Sequence, residues 1–138
     1  MLAPTFTLPQ LNGEGVISIK SYRGKPLVLT FWTSWCPDCQ KDLHFKDQFY
    51  RTIDPDKLGF LTINVTGREG QPEDGKRLIA EKNYSFPVLM DDGTKVYDAY
   101  QCMGVPTTVI INRHQEIVAK YNDKAKFVEI IQGLGKIL

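Results

Sequence analysis

Pro26-Leu27-Val28-Leu29-Thr30-Phe31-Trp32-Thr33-Ser34-Trp35-Cys36-Pro37-Asp38-Cys39 decides how the rest of this chain is read. Its first seven residues are an almost unbroken apolar, β-favouring run, which suits a central strand covered on both faces. A pair of cysteines three positions apart comes next. Beyond it Leu43, Phe49, Tyr50 and Ile53 recur at helical spacing until Asp54-Pro55 closes the element. A strand running into a CxxC at a helix start is the layout of a disulfide that opens and closes, not of a structural cross-link.

The remaining composition narrows the class. At 138 residues the chain is expected to be a single domain, 1–138, large enough to bury a core without staples. A formal net charge of +1 gives no basic excess for nucleic acid or an acidic membrane surface. No run approaches the roughly 18 apolar residues of a membrane span, and Met1-Leu2-Ala3-Pro4 does not open a signal peptide. Three cysteines are too few for a disulfide framework: Cys36 and Cys39 pair, leaving Cys102 single. No metal site is expected, because His44, His114 and Cys102 are scattered outside any ligand spacing. The chemistry calls for no cofactor.

Outward from the CxxC, the pattern alternates. Phe6–Leu8 and Gly15–Ile19, joined through Asn12-Gly13, read as a β-hairpin. Leu58–Val65 is a second buried strand, 66–75 a loop, Pro72–Tyr84 a helix, and Phe86–Met90 a short strand ended by Asp91-Asp92-Gly93. Thr107–Ile111 and Glu116–Tyr121 flank a turn at Asn112–Gln115, and Phe127, Ile130, Ile131, Leu134 and Ile137 mark a closing amphipathic helix. The fold class is α/β: a central mixed sheet flanked by helices, with an N-terminal hairpin and an inserted helix-strand.

The chemistry follows from position. A cysteine at a helix N-terminus faces unpaired backbone N–H groups and the positive end of the macrodipole, both of which favour the thiolate that attacks disulfides. Pro37 then takes the first helical position, where a missing N–H costs nothing. Cys39, one turn on, shares the same face at about 5–6 Å between Cβ atoms. Closure to the roughly 3.5–4.5 Å of a disulfide needs only a small adjustment. Cys36, at the exposed helix end, is the expected nucleophile; Cys39, pointing inward, resolves the mixed disulfide. Asp38 adds a negative charge beside both sulfurs and pushes the pair toward the reducing side. Cys102 is expected as a small buried hydrophobe, with a third redox thiol as the alternative. Lys41 and His44 are expected on the exposed helix face, with tuning of the thiols as the alternative, and His114 is assigned no function.

The ordered set of segments resembles the TlpA/ResA-like thiol-disulfide oxidoreductases of the thioredoxin and redoxin superfamily. Ala3-Pro4-Thr5-Phe6-Thr7-Leu8, Arg23-Gly24-Lys25-Pro26, Phe31–Cys39 and Gly104-Val105-Pro106-Thr107-Thr108 are similar to that family's opening, strand-entry, active-site and loop segments. The resemblance implies a thioredoxin-like fold and a cis Pro106 facing the CxxC, with the Val105 backbone exposed to pair with a substrate strand. Trp35 is either a platform at the rim or half-buried aromatic surface. Glu69 either shuttles protons to Cys39 or is a solvated loop carboxylate. Two departures stand out: Thr30 occupies the place of the thioredoxin buried Asp, and Asp42-Leu43-His44 lacks the family's Glu-x-Pro.

The resemblance also implies protein disulfide substrates, an upstream thiol electron donor such as a membrane thiol carrier, and an extracytoplasmic location; a monomer is expected. A cytoplasmic reductant fits the cysteine usage as well. Two other functions compete. Thr33-Ser34-Trp35-Cys36 has the T-x-x-C spacing of a peroxiredoxin, although Leu29 replaces that family's Pro. A Sco-like copper chaperone would resemble CxxxC with a distal His, which is not the pattern here.

Overall fold

The computed structural model describes residues 1–122 and 127–135. Its centre is a five-stranded sheet of β3 (Leu27–Trp32), β4 (Gly59–Asn64), β5 (Val88–Met90), β6 (Thr107–Ile111) and β7 (Ile117–Tyr121), ordered β5-β4-β3-β6-β7. The apolar run ahead of the two cysteines forms the middle strand, buried at all six residues. It pairs parallel with β4 and antiparallel with β6, so the sheet is mixed.

Strand alternation sorts the two faces. Thr30, Thr108 and Asn64 look toward α1 (Pro37–Tyr50) and α2 (Asp74–Lys82), and α4 (Phe127–Gly135) packs against Ile110 on the same side. Phe31 looks the other way and meets Tyr97 and Tyr100 at the end of α3 (Lys95–Ala99) with ring centroids 6.2 and 5.5 Å apart. The expected N-terminal hairpin is β1 (Thr7–Pro9) with β2 (Val16–Ser18). It docks on the β5 edge: the Leu11 N–H donates to the Val88 carbonyl, and the Asn12 side chain bonds both Phe86 and Val88. An open strand edge is thereby covered. The expected inserted helix-strand is α2 followed by β5.

Strand ends differ from the sequence expectation by one or two residues, and three helices differ more. Helix α1 ends at Tyr50, not at Asp54, because Thr52 and Ile53 bond back three residues and tighten the chain out of the helix. Helix α2 stops at Lys82, where Asn83 turns left-handed (φ 54°). Helix α3, only five residues long, was not foreseen; it forms because the Asp91 carboxylate accepts the N–H groups of Val96 and Tyr97, each at 3.0 Å. In α4, Ile130 and Leu134 are buried as the spacing predicts, whereas Ile137 lies outside the described residues.

Candidate active site

Strand β3 delivers the chain to the top of the sheet, and three hydrogen bonds then fix Ser34. Its N–H and hydroxyl donate to the two oxygens of Glu69 at 2.8 and 2.6 Å, and its carbonyl accepts from Gln40 Nε2 at 2.8 Å. Asn64, at the end of β4, donates to the same carboxylate at 2.7 Å. Trp35 Nε1 donates to the Arg68 carbonyl at 2.8 Å, leaving the indole 56% exposed at the rim. The loop after β4 therefore grips the turn that carries the first cysteine. Glu69 is part-buried and engaged on both oxygens, so it is no freely solvated carboxylate.

Cys36 is the N-cap of α1, with extended backbone (φ −86°, ψ 114°) and Pro37 at the start of the helix. Its sulfur accepts the Cys39 N–H at 3.1 Å, the role an N-capping side chain plays for an orphan donor. The Cys36 thiol donates to the Val105 carbonyl at 3.6 Å, across from the cis Val105–Pro106 bond. Both cysteines carry free thiols. Cys36 is more covered than an exposed helix end would be, at 6% exposure against 0% for Cys39, because the Val105 loop closes over it. Burial pushes the Cys39 thiol well above the ordinary range, helped by the hydrogen bond to Cys36; the Thr33 backbone works the other way, and the charge of Asp42 adds to the rise. Asp38, Lys41 and His44 stand exposed on α1.

Cys36, Cys39, Val105 and Pro106 are thus gathered at one point, with Trp35 and Pro37 at its edge. Cys102 sits in the loop before Pro106, 9% exposed, its thiol pushed up to about 12 mainly by burial. His114 is exposed in the β6–β7 turn. It lines a groove of about 950 Å³ with Pro26, Ile53 and Arg113, at the opposite end of β3 and with no cysteine in its wall.

One feature went unread in the sequence. Lys46 is 1% exposed and donates to Thr30 Oγ1 at 2.8 Å, to Asp42 Oδ2 at 2.7 Å and to Thr108 Oγ1. A lysine on a helix ordinarily reads as solvated; the available signal was its place seven residues after Cys39, on the same helical face.

Residues 2–120 match the AhpC/TSA family. The chain is 32% identical over 117 residues to the thiol-disulfide oxidoreductase ResA of Halalkalibacterium halodurans, covering 84% of this chain and 64% of that protein. It is 30% identical over 112 residues to the sporulation thiol-disulfide oxidoreductase A of Bacillus subtilis, covering 81% and 67%. The chain thus spans about two thirds of the length of these curated relatives. Among solved structures, StoA of Bacillus subtilis superposes with a TM-score of 0.82 at 26% identity, over 96% of this chain and 98% of that one. The exposed lipoprotein thioredoxin of Streptococcus pneumoniae gives 0.85 at 26%, over 96% and 99%. The fold is thioredoxin-like.

Proposed function

The chain belongs to the AhpC/TSA family, and from its similarity to thiol-disulfide oxidoreductases we propose that it is one itself, reducing disulfides in protein substrates through Cys36 and Cys39. The observation that carries the reading is the pairing of unlike thiols: Cys36 at the N-cap of α1 against the Val105 carbonyl, and Cys39 fully buried behind it.

The Cys36 thiolate attacks one sulfur of a substrate disulfide; a mixed disulfide forms and the other substrate sulfur leaves as a thiolate. The N–H of Cys39 and the positive end of the α1 dipole steady the negative sulfur before attack. Cys39 then attacks Cys36 Sγ, the bond to the substrate breaks, and the second substrate sulfur departs. Two electrons have passed to the substrate, and the Cys36–Cys39 disulfide awaits an upstream thiol donor. The Val105 carbonyl accepts from the Cys36 thiol at rest and is released when that thiol ionises, and it then serves an extended substrate segment, with the half-exposed Trp35 at the rim of the site. Pro37 and Asp38 tune the pair from the first helical turn. Glu69 serves as an anchor for Ser34, which supports a positioning task over proton shuttling.

The setting we propose is extracytoplasmic, with a membrane thiol carrier as donor and the protein acting as a monomer. The exposed lipoprotein among the similar structures supports that setting. The test is capture in cells: Cys39→Ala should hold client proteins on Cys36 as mixed disulfides that reductant releases, and Cys36→Ser should hold none. Capture only of cytoplasmic clients would move the location. In purified form, the wild type should reduce insulin disulfides; hydroperoxide consumption without insulin reduction would make it a thiol peroxidase instead.

A further inference from the structure

The Lys46 ammonium has three N–H groups, and it meets three acceptors: Thr30 on β3, Thr108 on β6 and Asp42 on its own helix. Each of the three N–H groups of an ammonium there has an acceptor, and one of those acceptors is a carboxylate, so the site is built to hold a fixed cation. Burial alone pulls a lysine toward neutrality, and Lys46 is lowered on that account; the Asp42 charge and the Cys39 sulfur pull it back up. Among the described residues those two groups, both on α1, are the titratable ones that act on it, and β3 and β6 contribute neutral hydroxyls. An apolar side chain of similar volume would fill the space at least as well, since buried ion pairs add little to stability. Cys39, Asp42, Leu43 and Lys46 lie on one face of α1, which directs the cation and the inner thiol into the same buried layer.

We propose that Lys46 is a positioning residue for the second half of the exchange, its clamped ammonium steadying the negative charge that develops on the Cys39 sulfur during attack on the mixed disulfide. The inference rests on the thiol-disulfide reading above. In the step, the Cys39 S–H bond breaks and its proton reaches water by way of the Asp42 carboxylate, which is 12% exposed. The Cys39–Cys36 bond forms, and the Cys36–substrate bond breaks with its electron pair on the substrate sulfur. The two cysteine sulfurs are oxidised and the substrate sulfurs reduced. Without the cation, charge on Cys39 costs more, so resolution slows while the first attack by Cys36 is spared.

The experiment mixes reduced protein rapidly with an aromatic disulfide that releases a coloured thiolate, one equivalent on Cys36 attack and a second on Cys39 attack. Lys46→Met should leave the first phase unchanged and slow the second about tenfold, the effect of raising the cost of the Cys39 thiolate by one pKa unit. The pH profile of the second phase should move upward. The same comparison in an Asp42→Asn background, whose second phase is itself slowed by loss of the proton route, removes any effect of a stranded carboxylate and should show the same further slowing on Lys46→Met. An unchanged second phase in both backgrounds overturns the inference while leaving the dithiol reading intact. Failure of the wild type to release two equivalents overturns the dithiol reading itself. Should Lys46→Met not fold, Lys46→Gln decides: it keeps hydrogen-bond donors without the charge and should slow the second phase, and an unchanged second phase overturns the inference.

Discussion

The Glu69 carboxylate closes on Ser34 from two sides, taking the backbone N–H on Oε2 at 2.8 Å and the hydroxyl on Oε1 at 2.6 Å. Ser34 lies two residues ahead of Cys36, and the link spans 35 residues of sequence. The sulfur's position at the head of α1 is therefore set partly from the loop beyond β4. Asn64 completes the arrangement by donating to the same carboxylate.

Glu69→Ala strands the Ser34 N–H, the Ser34 hydroxyl and the Asn64 amide together. Unpaired donors cost about 1–3 kcal/mol each when buried, and part of that returns here because the site is only part-buried and water can enter. A net loss of about 2–3 kcal/mol in urea unfolding is expected, with slower attack by Cys36. Glu69→Gln keeps an acceptor and should recover a good part of both. Full stability and full attack rate in Glu69→Ala would show that the clasp contributes nothing.

The three thiols should separate by alkylation. Cys39 and Cys102 have pKa values raised by burial, Cys102 to about 12, so almost no thiolate is present on either near neutral pH. Iodoacetamide on the reduced native protein should label Cys36 first and leave the other two until the pH is strongly alkaline or the chain unfolds. Peptide mass spectrometry reads the order. Early labelling of Cys39 would reverse the assignment of attacking and resolving thiols.

Much of this site was legible before any coordinates. Seven nearly continuous apolar residues, rich in β-favouring types and too few for a buried helix, suit a covered strand, and Pro37 after Cys36 fits a helix start because its missing N–H costs nothing there. The loop at Pro106 was carried by its likeness to relatives, not by spacing. What escaped reading depended on contacts distant in sequence. Lys46 looks like any solvated helix lysine until Thr30 and Thr108, 16 and 62 residues away, supply its acceptors. The cover over Cys36 comes from Val105, 69 residues on. Helix α3 is too short to show a period, and its organising residue, Asp91, read only as a strand end.

Asp91 gives a pH prediction of its own. It is 5% exposed, and burial raises its carboxyl above the ordinary 3.8 even though the N–H groups of Val96, Tyr97 and Asp92 pull it down. The folded state therefore binds this proton more tightly than the unfolded chain does. Its contribution is full below 3.8 and is lost as pH rises through the folded-state value. The stability difference between wild type and Asp91→Asn should accordingly shrink as pH rises through that range, measured by urea titrations at stepped pH. A difference that grows with pH would mean that the backbone donors outweigh burial.

Gly75 offers the sharpest test of how the site is braced. It sits in the first turn of α2, where Gly→Ala would ordinarily stabilise a helix by about 1 kcal/mol. Here an added Cβ would lie 2.2 Å from Asn64 Oδ1 and 2.5 Å from its Cγ. Asn64 is fully buried and bonded to both the Trp32 carbonyl and Glu69, so it has nowhere to retreat without releasing the carboxylate that holds Ser34. Overpacking of this kind costs about 1–3 kcal/mol and should reverse the usual sign. Gly75→Ala should therefore lower the urea midpoint and also slow Cys36 attack. Gly70→Ala, whose added methyl would make only an ordinary 3.5 Å contact with Asp74, should change neither. A stabilised Gly75→Ala with an intact attack rate would show that Asn64 can move freely, and that the brace behind Ser34 is slack.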